Sequence, residues 1–342
     1  MTRIKILIYS PAFYPSVGGL ENVVLVLAQE FAAAGHVVRL VCTTPSLTRD
    51  AEPFEIIRNP NPAIFFKLVK WCDIFFQANI SLKGLWPLIF INKLWVVAHH
   101  GWYSRSDGRL GWQDHIKHWL LRFAAGISIS RAVADHISTP STVIPDPYDD
   151  DVFYEMPAIE RDKELIFVGR LVSDKGADVL LEALAQLKQQ GVMARLTIVG
   201  YGPEEENLRE QAFRLRINDV VTFLGKKTGR DLVRILNAHR ILVVPSKWNE
   251  PFGIVALEGI ACGCVVVVSD GGGLKDAIGE CGVTFPNGDV AALIKCLKEL
   301  LLKKEKRDEF TANAKTHLSK HGRKYIAGQY LAVLEAALGR SI

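Results

Sequence analysis

The chain has 342 residues, nearly half of them apolar, and its 41 basic residues barely outnumber its 37 acidic ones. That length fits two domains, each with enough apolar content for a core of its own. The formal charge of +4 divides evenly, +2 over residues 1–150 and +2 over the rest, which speaks against a nucleic-acid-binding arm or an acidic tail.

The apolar run Ile4–Ser10 is too short for the core of a signal peptide and is closed by Pro11; it reads as a buried strand. A loop Ser16-Val17-Gly18-Gly19-Leu20 leads into a helix from about Glu21 to Ala34, stopped by Gly35, and Val37–Thr44 is the next strand. This βαβ unit predicts a parallel sheet covered on both faces. Residues 54–145 are less regular, with apolar runs at Asp73–Phe76, Leu94–Ala98, Gly126–Ile129 and Thr142–Pro145. The apolar stretch Leu85–Ala98 is broken by Pro87, Asn92 and Lys93 and falls short of the roughly 20 residues a spanning helix needs. Trp112–Phe123 reads as a basic amphipathic helix, open to two interpretations: packing on the first sheet, or lying on an anionic membrane.

A hinge is expected at Pro145–Asp151, separating domains at 1–150 and 151–322. Strands are predicted at Glu164–Val168, Arg195–Val199, Val220–Leu224, Ile241–Val244, Val265–Val268 and Gly282–Phe285. Helical patterns alternate with them near 177–190, 203–216, 229–238, 253–262, 274–278 and 289–303, which spells a doubly wound domain. Tyr325–Leu338 is a further amphipathic helix, within a tail 323–342 expected to cross back to the first domain. Cys42, Cys72, Cys262, Cys264, Cys281 and Cys296 form no CxxC and no metal-binding spacing, so buried reduced thiols and a cytoplasmic setting are expected.

Chemistry-bearing residues come after two of these strands. After Leu165–Val168 comes Gly169-Arg170, and Lys175-Gly176 then opens a helix. A lysine at a helix start faces partial positive charge, which makes sense if Arg170, Lys175 and nearby amides hold an anion; a solvated pair of surface cations is the plainer alternative. Glu258 is the lone charge of the run Gly253–Val268, so its carboxylate needs a donor. Glu250 precedes that helix, and Phe252, Gly253 and Ile254 offer backbone N–H groups at its start. Such a segment can present amides to phosphate and carboxylates to sugar hydroxyls. It also reads as a proline-started helix with a capping glutamate and one buried ion pair.

The C-terminal half resembles glycosyltransferase family 4, the retaining enzymes of GT-B fold. The resemblance rests on Phe167-Val168-Gly169-Arg170-Leu171 with Lys175-Gly176, Ile198-Val199-Gly200-Tyr201-Gly202-Pro203, Phe223-Leu224-Gly225, Pro245-Ser246, and Glu250 and Glu258 with seven residues between them. The N-terminal half adds Gly18-Gly19-Leu20-Glu21 and His100-Gly101. This resemblance implies an α/β fold of two Rossmann-like doubly wound domains facing across a cleft. It implies that Glu258 binds the donor ribose, that Arg170 and Lys175 neutralise the diphosphate, and that Glu250 contacts the transferred sugar. Gly200 and Tyr201 join the donor site, the amides of Phe252, Gly253 and Ile254 bracket the distal phosphate, and Gly18 and Gly19 close over the diphosphate. His100 is expected near the reacting carbon, whereas His99 is expected to be structural. Asp146-Pro147 departs from the family, which usually has asparagine and glycine after the Ile-Pro pair.

By the same resemblance the chain is expected to be a metal-independent hexosyltransferase without cofactor, taking a UDP-sugar, UDP-glucose first. Its acceptor is expected to be a glycan or lipid-linked saccharide in polysaccharide biosynthesis, with peripheral contact at the inner face of the membrane and no nucleic-acid partner. Asp149-Asp150-Asp151 satisfies the short acidic motif of metal-dependent transferases, but its hinge position makes a metal role the weaker reading. A nucleotide-sugar 2-epimerase and a non-catalytic nucleotide-sugar-binding protein are the alternatives. A dinucleotide dehydrogenase is disfavoured, since the first loop has no GxGxxG.

Overall fold

A computed structural model describes residues 3–16, 18–46, 51–104 and 109–339. The chain divides into two compact units, one running to Pro147 and resumed at Arg323, the other spanning Tyr148–Gly322.

The first unit contains β1 (Lys5–Tyr9), α1 (Gly19–Ala33), β2 (Val37–Cys42), β3 (Glu55–Arg58), α2 (Pro62–Trp71), β4 (Ile74–Ala78), β5 (Leu94–His99), α3 (Trp112–Leu120), β6 (Ala125–Ser128), α4 (Arg131–His136) and β7 (Ser141–Val143). Its strands form one parallel sheet in the order β3-β2-β1-β4-β5-β6-β7. Ile6, Leu7 and Ile8 of β1 and Phe75 and Phe76 of β4 are fully buried, as near-continuous apolar strands covered on both faces should be. The sequence pattern does not separate β3 from α2. β3 is a four-residue edge strand, and α2 is started by Asn61, whose side chain accepts from Ile64 N at 2.9 Å.

The second unit contains β8 (Lys163–Val168), α5 (Ala177–Gln189), β9 (Leu196–Val199), α6 (Glu205–Arg214), β10 (Val221–Phe223), α7 (Gly229–Asn237), β11 (His239–Val244), α8 (Ile254–Ala261), β12 (Val265–Ser269), α9 (Leu274–Ile278), β13 (Gly282–Phe285), α10 (Val290–Leu302), α11 (Lys304–Ala312) and α12 (Ala314–Leu318). Its parallel sheet has the order β10-β9-β8-β11-β12-β13. The winding reverses between β8 and β11, so their carboxyl ends flank a crevice of the kind that holds ligands in such sheets. Tyr148 is tied to the far end of this unit, donating through its amide to His321 O at 3.2 Å and bridging to Gly322.

The chain then returns to the first unit as α13 (Arg323–Gly339), which packs on α1. Arg323 Nε lies 2.6 Å from Glu30 Oε1, and the Tyr330 ring meets Phe76 edge-on at 6.1 Å. No helix among the described residues is long and apolar enough to cross a membrane.

Candidate active site

The loops after β8, β9 and β10 are laced together at one edge of the second sheet. Gly169 N donates to Val199 O at 3.0 Å, Gly200 N to Gly225 O at 3.0 Å, and Leu171 N to Tyr201 O at 2.9 Å. A Cβ on Gly200 would stand 1.9 Å from Gly169 O, and one on Gly202 2.2 Å from Leu171 O; the glycines of Gly200-Tyr201-Gly202 therefore let two backbones touch. Tyr201 between them is exposed, with Lys226 Nζ 5.3 Å from its ring centroid.

Lys175 is delivered by a short 3-10 turn, Ser173–Lys175, that ends in Gly176 at φ +69°. Only glycine fits there, since a Cβ would lie 1.8 Å from Pro245 O at the end of β11. Asp174 O accepts from Lys247 N at 2.8 Å, which fastens the turn to the β11 loop. So the switch point brings the Lys175 side chain to Glu250. Lys175 Nζ pairs with Glu250 Oε1, and buried Ser246 Oγ donates to the same oxygen at 2.6 Å. The two roles expected separately, diphosphate for Lys175 and sugar for Glu250, thus belong to side chains already in contact. Arg170 is exposed, and among the described residues its guanidinium has neither ion pair nor hydrogen bond.

Glu250 also anchors the next loop: its carbonyl accepts from Gly273 N at 2.7 Å, and Gly272, at φ +75°, passes so close that a Cβ would stand 2.1 Å from that oxygen. α8 begins after Gly253 at φ +105°, and its first amides have no intrahelical acceptor. Phe252 is buried and stacks on the His321 ring at 6.3 Å. Burial pushes His321 down to about 4, so this partner is neutral at ordinary pH.

Glu258 lies in the second turn of α8 with part of its surface open. Burial first, and the Asp149 carboxylate second, push its carboxyl up to about 7. The donor that its apolar surroundings require is not supplied by any described residue. Among the described residues it is an acceptor without a partner, suited to a ligand that brings its own donors.

In the first unit, Gly18 caps α1 in extended conformation (φ −158°) and Gly19 is the first helical residue; Val17 lies outside the described residues. A Cβ on Gly18 would meet Glu21 Oε2 at 2.5 Å, and Ser16 Oγ donates to Glu21 Oε1 at 3.1 Å. His99 closes β5 fully buried, its Nδ1 2.8 Å from Tyr103 Oη, and burial pushes it down to about 3. His100, one residue on, donates through its amide to Asn79 Oδ1 at 2.7 Å, and its Nδ1 stands 3.0 Å from Asp146 Oδ1. Sequence reasoning gives no site role to Ser246 or Gly272; it marks Asp146 only as a departure at the hinge and Asp149 only within the acidic run Asp149-Asp150-Asp151. Ser246 and Asp146 each directly follow a proline at a strand end, a position that could have marked them.

Residues 152–317 match the family model described as glycosyl transferases group 1. Glycogen synthase of Mycobacterium tuberculosis is 28% identical over 363 residues, covering 87% of this chain and 86% of its own length. D-inositol 3-phosphate glycosyltransferase of Saccharomonospora viridis is 37% identical over 164 residues, 45% of this chain and 38% of its own. Among solved structures, the Anabaena protein HepE in complex with UDP and glucose superposes with a TM-score of 0.81 at 20% identity, covering 97% of this chain and 100% of that one. Sucrose-phosphate synthase from Thermosynechococcus elongatus gives 0.80 at 22%, over 98% and 100%. Residues 152–317 thus carry the match to glycosyl transferases group 1, and the fold, two parallel sheets with covering helices, is that of the GT-B glycosyltransferases.

Proposed function

We propose that this glycosyltransferase moves a hexose, glucose in the first instance, from a UDP-sugar to a glycan or lipid-linked saccharide, with retention and without a metal ion or cofactor. The observation that carries the reading is the grouping at the β8–β11 switch point. There the Lys175–Glu250–Ser246 cluster, Arg170 (without a partner among the described residues) and the start of α8 share one sheet edge. UDP and glucose are chosen because HepE is seen with both.

On this reading Arg170, Lys175 and the amides of Phe252, Gly253 and Ile254 bind the diphosphate. They stabilise the negative charge that grows on it as the bond from the anomeric carbon breaks. The acceptor hydroxyl attacks from the same face, and its proton leaves on the departing phosphate oxygen. Glu258, without a donor among the described residues, takes the ribose hydroxyls. Glu250 holds Lys175 before the donor arrives and meets the sugar afterwards. Gly18 and Gly19 give the diphosphate a second backbone surface without side chains, Gly200 and Tyr201 sit towards the nucleoside, and His100 serves the reacting sugar. A cytoplasmic setting, with the exposed aromatic side chains of α3 on the inner membrane leaflet and the polymer built there, completes the proposal.

The test is a nucleotide-sugar panel scored by UDP release, with Glu258→Ala and Lys175→Ala alongside. Release from a UDP-hexose that depends on added acceptor, and loss of donor affinity in both variants, supports the reading. Wild-type donor affinity in either variant overturns the site. Conversion of the sugar without an acceptor identifies the epimerase alternative.

A further inference from the structure

The first unit holds a buried acid–imidazole contact whose acid has no part in the proposed reaction. His100 Nδ1 and Asp146 Oδ1 stand 3.0 Å apart on side chains only 3% and 6% exposed. The contact is not aligned as a hydrogen bond, and Asp146 Oδ1 and both ring nitrogens of His100 have no other hydrogen-bond partner among the described residues. The His100 backbone is fixed by its bond to Asn79 Oδ1, which leaves the ring nitrogens to the contact with Asp146. Turning the ring to align Nδ1–H with the carboxylate satisfies two buried groups at once, where each would otherwise stay unpaired.

We propose that Asp146 is a positioning residue: its carboxylate accepts from His100 Nδ1–H and so leaves a lone pair on Nε2 to accept a hydrogen bond from a sugar hydroxyl. The proposal rests on the glycosyl-transfer reading for the identity of the hydroxyl, but not for the state of the ring. A neutral imidazole has one donor and one acceptor nitrogen, so whatever engages one nitrogen decides what the other presents. Asp146 follows Ile144-Pro145, where the resemblance leads one to expect asparagine. The difference is chemical. An ionised carboxylate accepts only, whereas an amide turned about its bond offers either an oxygen or an NH2, and leaves the tautomer open.

The neighbours are compatible with this assignment. His99 stays neutral at ordinary pH, being pushed down to about 3 by burial, His100 and His118, so it adds no competing charge. Tyr330 is wholly buried with an unpartnered hydroxyl, and burial together with Asp146 holds it well above its ordinary range. The phenol therefore stays neutral and adds no charge beside the imidazole. Asn79, the remaining polar contact, engages the backbone of His100 and not its ring.

Long-range proton–nitrogen spectra of the 15N-labelled full chain read the tautomer directly, with His100 assigned by loss of its signals in His100→Gln. The expected wild-type ring is protonated at Nδ1 and bare at Nε2. Asp146→Leu, which removes the acceptor at similar volume, shifts the ring towards Nε2–H, and Asp146→Asn lies between. A wild-type ring protonated at Nε2, or one unchanged by Asp146→Leu, overturns the proposal; the wild-type and asparagine spectra decide it should the leucine variant not fold. In the assay of UDP release, Asp146→Leu lowers kcat at least tenfold while the Kd for UDP moves less than twofold. An unchanged kcat overturns the link to the reaction. If the wild-type chain releases UDP from no donor, the glycosyl-transfer reading fails by itself, and the spectra still decide the ring.

Discussion

Lys175 and Glu250, 75 positions apart in sequence, meet as an ion pair because Gly176 lets its turn press against the end of β11. With side chains 23% and 12% exposed, the pair is sheltered enough to matter for stability as well as for binding. Lys175→Ala leaves Glu250 with Ser246 as its remaining donor, and is expected to destabilise the chain by about 1–3 kcal/mol. It also lowers UDP affinity at least tenfold. Arg170 offers a contrast. It is exposed and without a protein partner among the described residues, so Arg170→Ala should leave stability within about 0.5 kcal/mol while weakening UDP binding by a similar factor. Urea unfolding and calorimetric titration with UDP separate the two effects.

Glu258 predicts a pH dependence of opposite sign for stability and for binding. Its carboxyl is pushed up from the ordinary 4.5 to about 7, so between those values the folded chain binds more protons than the unfolded one. The favourable contribution of the protonated group is therefore complete below about 4.5 and is lost as pH rises through about 7. Glu258→Gln abolishes that loss, and should raise stability by about 1–3 kcal/mol at pH 8 with little change at pH 4. Donor binding runs the other way. The charged carboxylate is the better acceptor for a ribose diol, so wild-type UDP affinity should rise from pH 6 to pH 8, and the glutamine variant should lack that rise. Thermal melts and UDP titrations across this range check both.

The close approach at Gly176 gives a prediction that needs no ligand. Alanine there would place a Cβ 1.8 Å from Pro245 O at φ +69°, a clash with backbone that no side-chain movement relieves. Gly176→Ala should cost about 3 kcal/mol or more, with loss of UDP binding because Lys175 leaves its place. Gly191 is the control. Its φ of +77° is similar, yet nothing stands within 4 Å of a Cβ built there, so Gly191→Ala should cost only about 1 kcal/mol. Denaturant midpoints of the two variants separate backbone strain from collision.

The second unit is legible because each of its strands is a short apolar run that ends in a turn or a glycine-bearing loop; β8 through β13 fall within a residue or two of where periodicity puts them. α11 is not, since Lys304–Ala312 is mostly charged and buries no side chain, leaving no apolar stripe to read. β3 escapes for a related reason: four residues at a sheet edge, none fully buried, carry too little pattern. In the site, Arg170, Lys175, Glu250 and Glu258 stand out as charges beyond the ends of apolar strands or inside an apolar run. The pairing of Lys175 with Glu250, and of His100 with Asp146, depends on which loops the sheet order makes adjacent, and no local spacing encodes that. Backbone-only partners such as Gly272 leave still less trace, because a glycine records permission to approach without naming what approaches.

The helix α3 supports the last prediction. It buries no side chain of its own, and Trp112, Trp119 and Phe123 in and just after it are 68%, 54% and 68% exposed. Another side of the helix packs within the first unit, where His118 meets the rings of Tyr103 and His136, so the exposed rings are what that packing leaves uncovered. Lys117, which pairs with Asp114 at 3.0 Å, and exposed Arg122 supply basic charge in the same segment. Aromatic rings beside cations are suited to the boundary of an anionic bilayer, where the rings enter the headgroup layer and the cations meet lipid phosphate. The chain should sediment with vesicles of phosphatidylglycerol and phosphatidylcholine at low salt, and release as ionic strength rises towards about 0.5 M. Replacing Trp112, Trp119 and Phe123 together by serine should lower the bound fraction at least tenfold and leave UDP affinity unchanged, because the proposed diphosphate and ribose ligands Arg170, Lys175 and Glu258 belong to the second unit. Equal sedimentation of the triple variant, or none by the wild type, would remove the membrane from the proposal and leave the donor site untouched.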